Sequence, residues 1–86
     1  MSMFLTGMGV RFTWWQWFWF VDKLVEWGVD TSEIRFSNDG KEISDATCQL
    51  IADAIEAHLP EMTKAQREFF EPTVNLWRTC GGCLQV

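Results

Sequence analysis

The feature that most constrains this chain is the aromatic stretch from Thr13 to Gly28, which holds five of the six tryptophans. Thr13 and Gln16 form a capping-box pattern at its start, and Gly28 suits the position after a last helical turn, so the stretch predicts a helix. At about 100° per residue, most apolar side chains fall on one broad half of that helix. Trp15 and Trp19 instead lie one turn apart in the middle of the polar half. The apolar half comprises Trp14, Trp17, Phe18, Phe20, Val21, Leu24, Val25 and Trp27.

The length and composition predict one small globular domain over residues 1–86. The chain is 48% hydrophobic and 22% charged, which is typical of a chain that buries a core and excludes general disorder. Residues 1–12 form a weakly patterned N-terminal arm, in which two glycines disfavour a helix. An ordered edge strand and a frayed tail both remain open for this arm.

The charge and the cysteine content limit the partners and the compartment. Seven Lys and Arg against twelve Asp and Glu give a net charge of −5. Binding to nucleic acids or anionic membranes relies on clustered basic residues, so we expect neither as a direct partner. Three cysteines, no secretory start and no apolar run of about 18 residues predict a soluble protein of a reducing cytoplasm.

The hydrophobic period changes after the first helix and predicts a β-hairpin. Residues 34–36 and 41–43 alternate between apolar and polar side chains around Asn38-Asp39-Gly40, which is a strong turn signal. Ile34, Phe36 and Ile43 would face inward.

Two further helices are indicated by their start and stop signals. Ser44 is a good N-cap for the second helix, and Thr63 with Gln66 repeats the capping-box pattern for the third. The apolar phase continues across Pro72, which favours one bent helix over two short ones. The glycine pair at 81–82 ends it.

The predicted fold class is therefore α+β, with three helices packed against a small β-hairpin. Residues 83–86 are extended and are a candidate third strand on that hairpin. The predicted core comprises Trp17, Phe18, Val21, Leu24, Val25, Phe36, Ile43, Ile51, Ile55, Phe70, Val74 and Trp77.

Several short motifs give the chain a resemblance over residues 14–86. The Trp-rich helix ends in Glu26-Trp27-Gly28, Ser44-Asp45-Ala46 opens the next helix, and Trp77 is followed by Cys80-Gly81-Gly82. With Asn38-Asp39-Gly40, these features resemble a family of short uncharacterised phage and prophage proteins. Cys83 departs from the pattern, in which an aromatic residue usually follows the glycine pair. The resemblance implies a phage-borne accessory protein in a bacterial host cytoplasm, without a reaction or catalytic residues.

Cys48, Cys80, Cys83 and the single histidine, His58, are the only residues that suggest site chemistry. We expect buried structural thiols, because Cys80 follows a helix C-terminus, where the dipole disfavours a thiolate. A zinc site from all four residues, and a redox pair at 80 and 83, remain alternatives. His58 lacks a nucleophile motif beside it, so we expect no enzyme, no catalytic residues and no cofactor.

The exposed tryptophans carry the functional hypothesis, because Trp is strongly enriched in interface hot spots. We expect a non-enzymatic phage-type protein that binds a host protein, such as an anti-CRISPR-like inhibitor of a bacterial defence system. The alternatives are a homo-oligomeric structural or assembly protein and a small zinc-stabilised module. Two plainer interpretations are that the N-terminal arm or the C-terminal strand covers the tryptophans, and that the acidic helix face is simply solvated. The predicted partner-binding residues are Trp15, Trp19, Asp22, Glu26, Asp45, Asp53 and Glu56.

Overall fold

The computed structural model describes residues 2–34 and 40–86. These residues form three helices and four strands, which confirms the α+β class. No helix in these two ranges is long and apolar enough to cross a membrane. In chain order the elements are β1 (Ser2–Thr6), β2 (Val10–Thr13), α1 (Trp14–Glu26), β3 (Glu42–Ile43), α2 (Asp45–His58), a 3-10 turn (Leu59–Glu61), α3 (Lys64–Thr79) and β4 (Cys83–Gln85).

The sheet joins both ends of the chain. Its strands are antiparallel in the order β2-β1-β4-β3, so the C-terminal strand lies between β1 and β3. Cys83 pairs with Ile43, and Leu84 pairs with Thr6. The predicted strand from the C-terminal residues is thus confirmed. The expected partner strand at 34–36, apart from Ile34, lies outside the described residues, as does most of the expected turn.

The N-terminal arm is an ordered hairpin. Gly7 and Gly9 have φ values of 95° and 72°, so the two glycines that disfavour a helix form the turn between β1 and β2. Met3, Leu5 and Phe12 are fully buried. Of the two alternatives for the arm, the ordered one holds, although only β2 is an edge strand and β1 lies inside the sheet.

Helix α1 begins and ends as its sequence predicts. The Gln16 N–H donates to Thr13 Oγ1 at 3.1 Å, and the Thr13 N–H donates to Gln16 Oε1 at 2.8 Å. Gly28 has a φ of 78°, and the Val29 N–H donates to the Leu24 carbonyl at 2.9 Å. These bonds form a capping box and a Schellman-type end, which fix where the helix starts and stops.

The other two helices also follow their signals. Ser44 caps α2 by accepting a backbone N–H at 3.4 Å, and Thr63 and Gln66 form a second capping box with bonds of 3.0 and 3.2 Å. Helix α3 runs unbroken across Pro72, as expected. Both glycines at 81–82 have positive φ and follow its end.

The core lies between the sheet and the helices. Phe12 of β2 is its centre, with ring centroids 5.2 Å from Trp17, 5.6 Å from Phe20 and 5.3 Å from Phe69. The predicted core residues that the structure confirms as buried are Trp17, Val21, Leu24, Ile43, Ile51, Ile55, Phe70, Val74 and Trp77.

For two residues the prediction of a core position is wrong, and a third predicted core residue, Phe36, lies outside the described residues. Phe18 is 42% exposed and Val25 is 59% exposed. Both stand at one edge of the broad apolar half, Phe18 about 90° and Val25 about 70° from its centre, where the described parts of the sheet and of the other helices leave α1 partly exposed. An apolar arc wider than the covered surface leaves its edge in solvent.

Candidate functional site: the outer face of the first helix

Helix α1 carries large apolar side chains on two faces, one of which is buried and the other exposed. The inner face consists of the buried residues Trp17, Phe20, Val21 and Leu24. We define the outer face as the exposed residues Trp15, Phe18, Asp22 and Val25. The centres of the two faces are about 130° apart around the helix axis. The outer face is therefore directed away from the core.

The outer face exposes unusually large apolar groups. Trp15 is 84% exposed, which makes it the most exposed of the large hydrophobic residues that the structure describes. Together with flanking atoms of Trp19 and Val21, the four outer-face residues line an open groove of about 460 Å³. Phe18 is steadied by stacking on Trp14, with ring centroids 5.9 Å apart. The result is a preformed apolar surface.

Asp22 supplies the charge of the outer face. It is exposed, and it forms no hydrogen bond or ion pair with any residue in the described ranges 2–34 and 40–86. Glu26 follows one turn later and pairs with Lys23 at 3.2 Å. The structure thus brings Asp22 beside Trp15, as the sequence hypothesis requires, and places Glu26 at the border of the face with a partial counter-charge.

Trp19 differs from Trp15, although both were predicted to be exposed. Its ring packs against Phe70 of α3, with centroids 5.4 Å apart, and Lys23 Nζ lies 5.8 Å from its centroid. Another segment of the chain therefore partly covers Trp19, in agreement with the plainer interpretation. The covering element is α3, whereas we expected the arm or the C-terminal strand. Trp15 stays uncovered by the described residues.

A second apolar groove continues from the outer face towards α3. Trp15 and Trp19 line it on one side, and residues of the first turns of α3, including Gln66 and Phe69, line it on the other. Its volume is about 310 Å³. Trp15 and Trp19 border both grooves, and Trp15 is the more exposed of the two.

The acidic residues of α2 are engaged elsewhere. Arg78 of α3 donates to Asp53 Oδ1 at 2.7 Å and to Glu56 Oε1 at 3.1 Å. These contacts, first the hydrogen bond to Asp53, raise the pKa of Arg78. Asp45 accepts from Gln49 Nε2 at 3.3 Å. The acidic stripe is therefore part of the α2–α3 contact, partly neutralised by one arginine.

The structure separates these acids from the tryptophans. Residues 71, 74, 75 and 78 of α3 border Glu56, whereas residues 65, 66 and 69 border Trp15. The two sets lie about 180° apart around α3. The seven predicted partner-binding residues thus form two surfaces on different sides of this helix. Trp15, Trp19, Asp22 and Glu26 belong to one, and Asp45, Asp53 and Glu56 belong to the other.

The three cysteines come together as thiols. Cys48 Sγ lies 3.7 Å from Cys80 Sγ, and no disulfide links the cysteines, all of which are described. A hydrogen bond with Cys83, followed by burial, raises the pKa of Cys48, and burial raises the pKa of Cys80. Thiols held protonated are weak nucleophiles, which supports the structural interpretation.

His58 does not join the cysteines. Its ring stacks on Trp27 with centroids 4.4 Å apart and planes 6° from parallel, and its Nδ1 lies 2.8 Å from Glu61 Oε2. Over residues 2–34 and 40–86, no group of three or more His, Cys, Asp or Glu residues is arranged to hold a metal ion. The four-residue zinc hypothesis does not match this arrangement.

Sequence reasoning missed Phe18 and Val25 as surface residues. A signal for them exists in the spacing of Trp15, Phe18, Asp22 and Val25, which are separated by three, four and three positions. Such spacing forms one narrow seam along a helix. The apolar half assigned to the core spans about 180°, wider than the stripe of roughly 100° that a surface helix buries.

Comparisons with protein-family models, with curated proteins and with solved structures give no match for this chain.

Proposed function

We propose that this protein acts by binding another protein through the outer face of α1. The observation that carries the proposal is that Trp15 is 84% exposed, although other large apolar residues of the same helix are fully buried in the core. A large indole in water is unfavourable, and Trp is enriched in the few residues that dominate binding energy. Phe18 and Val25 extend the same surface.

The arrangement of the face supports a binding role. A capping box and a Schellman-type end fix both ends of α1, so its backbone is already ordered and loses little entropy on binding. Hot-spot residues work best when large anchors are surrounded by groups that exclude water. Trp15 is such an anchor, and Phe18 and Val25 flank it.

The more specific part of the proposal concerns the partner's origin. The resemblance to phage and prophage proteins favours a bacterial host protein, and a component of a defence system is the anti-CRISPR-like case. The net charge of −5 suits a partner with a basic surface. This part rests on the resemblance and the charge alone.

A non-enzymatic role agrees with how the reactive side chains are held. A hydrogen bond with Cys83 and then burial raise the pKa of Cys48, which disfavours the reactive thiolate. His58 is stacked on Trp27 and bound to Glu61. Each of these groups has a contact that explains its position in the fold, and the two do not form a nucleophile–base pair.

The test is quantitative affinity capture from a bacterial lysate with matched baits. The outer-face variant carries Trp15→Ala and Phe18→Ala, and the control carries Leu50→Ala, which removes a side chain that is 51% exposed on α2. We expect partners recovered by the native bait and the control to fall at least tenfold with the outer-face variant. Equal recovery by all three baits contradicts the proposal. Far-UV circular dichroism verifies that each bait is folded.

A homo-oligomeric role is the second candidate, because the same exposed face is able to meet itself. Light scattering over a range of protein concentrations separates the two: a face reserved for a foreign partner predicts a monomer. For the zinc-stabilised module, metal analysis and thermal melting with and without chelator give the answer. A structural role for the thiols predicts no change in melting temperature on adding chelator.

A further inference from the structure

We infer that the outer face receives a single amphipathic helix of the partner that carries a Lys or Arg within its own apolar seam. This inference rests on the proposed function, and it deepens it by naming the chemistry of the partner. The observations behind it are the spacing of the outer face and the position of Asp22.

The spacing of the outer face fits another helix. Trp15, Phe18, Asp22 and Val25 follow the three-four-three pattern of positions a and d of a heptad, which is the seam through which two helices pack side by side. From Trp15 to Val25 the seam is about 15 Å long at 1.5 Å per residue. A partner helix of about three turns covers it.

Asp22 determines the charge of that helix. It occupies an a position between Phe18 and Val25, it is exposed, and it has no partner among residues 2–34 and 40–86. A helix laid on the seam removes water from this carboxylate, and an unpaired buried charge is costly. A Lys or Arg opposite Asp22 offsets that cost, and the charge of −5 on the whole chain adds attraction at longer range.

The same residue disfavours a second copy of this chain as the occupant. In a parallel pair, Asp22 faces the Asp22 of the other copy, which places two like charges in the seam. In the antiparallel register that buries all four seam residues, Asp22 faces Phe18. Neither arrangement supplies a cation, whereas a foreign helix with one basic seam residue does. Asp22 is thus a specificity residue that selects against self-association.

The test uses two synthetic helical peptides of about 21 residues with Leu and Ile seams. They are identical except for one central seam position, which is Lys in one and Glu in the other. Their dissociation constants are measured by tryptophan fluorescence with the native protein and with Asp22→Lys. Native protein is expected to bind the Lys peptide at least tenfold more tightly, and Asp22→Lys is expected to reverse the preference.

Two controls separate the seam from general attraction to an acidic protein. Glu71→Lys changes the net charge by the same amount at an exposed position on α3 and is expected to keep the native preference. A third peptide, with its Lys moved out of the seam at unchanged net charge, is expected to bind at least fivefold more weakly than the Lys peptide. Circular dichroism verifies that both protein variants are folded.

Three results overturn the inference: equal affinity for the two peptides, a preference that Asp22→Lys leaves unchanged, and no binding at about 1 mM peptide. A native dimer in light scattering that Asp22→Asn strengthens overturns it as well, in favour of a second copy. If neither peptide binds while capture from lysate still depends on Trp15 and Phe18, the inference of a helical partner is wrong and the proposed binding face is still supported. If capture is also insensitive to those residues, the proposed function itself fails.

Discussion

The inner and outer faces of α1 contain similar residues in opposite environments. Trp17 and Phe20 are fully buried against β2, whereas Trp15 and Phe18, two positions earlier in each case, are 84% and 42% exposed. The difference shows that aromatic content alone does not indicate role. The inner aromatics form the core, whereas the outer ones keep 42% to 84% of their surface exposed.

The contrast between the two faces predicts its largest difference in stability between substitutions of Trp17 and Trp15. Trp17→Ala removes a fully buried indole and leaves a cavity, so the free energy of unfolding is expected to fall by about 3–5 kcal/mol. Trp15→Ala removes an exposed side chain and is expected to change it by less than about 0.5 kcal/mol. Equilibrium denaturation followed by circular dichroism measures both. Similar losses for the two variants would break the distinction between the faces.

A smaller effect is expected at the start of the helix, which both faces share. Thr13→Ala removes the acceptor of the 3.1 Å bond from the Gln16 N–H and is expected to lower the free energy of unfolding by about 1 kcal/mol. Thr63→Ala, at the matching position of α3, serves as the control and is expected to cost a similar amount. A loss above about 3 kcal/mol at Thr13 alone would show that it supports the core and not only the cap.

The smallest effect is expected at Val25, and its sign is informative. Val25 is 59% exposed, so Val25→Ala loses little burial and gains helix propensity. We expect the free energy of unfolding to rise by up to about 0.5 kcal/mol, while partner binding weakens. Thermal melting and binding are measured on the same sample. A clear loss of stability would place Val25 in the core, as its position in the sequence pattern first indicated.

Local chemistry explains why the helices could be predicted. The caps at Thr13, Ser44 and Thr63 and the stop at Gly28 depend on residues within one turn of each other, and each forms as expected. The β1–β2 hairpin could not be predicted in the same way. β1 pairs with β2 at four positions and also with β4, about 80 positions along the chain. A short strand next to glycines carries little signal alone, and its distant partner cannot be read from local sequence.

The candidate site was predicted in part for the same reason. Trp15 and Asp22 could be assigned to the surface because they fall on the polar half of α1. Phe18 and Val25 could not, because their exposure depends on which arc of the helix the sheet covers. A helical wheel also does not show where other helices lie. The acidic residues of α2 were therefore predicted to share a binding surface with Trp15, although α3 lies between them.

The most direct test of the central claim is the dissociation constant of a captured partner for Trp15→Ala, measured beside the free energy of unfolding of the same variant. The account predicts binding weakened at least tenfold, with unfolding changed by less than about 0.5 kcal/mol. Leu50→Ala, the matched exposed control, is expected to leave both values unchanged. A dissociation constant for Trp15→Ala within twofold of the native value would contradict the claim that the outer face of α1 is the binding surface.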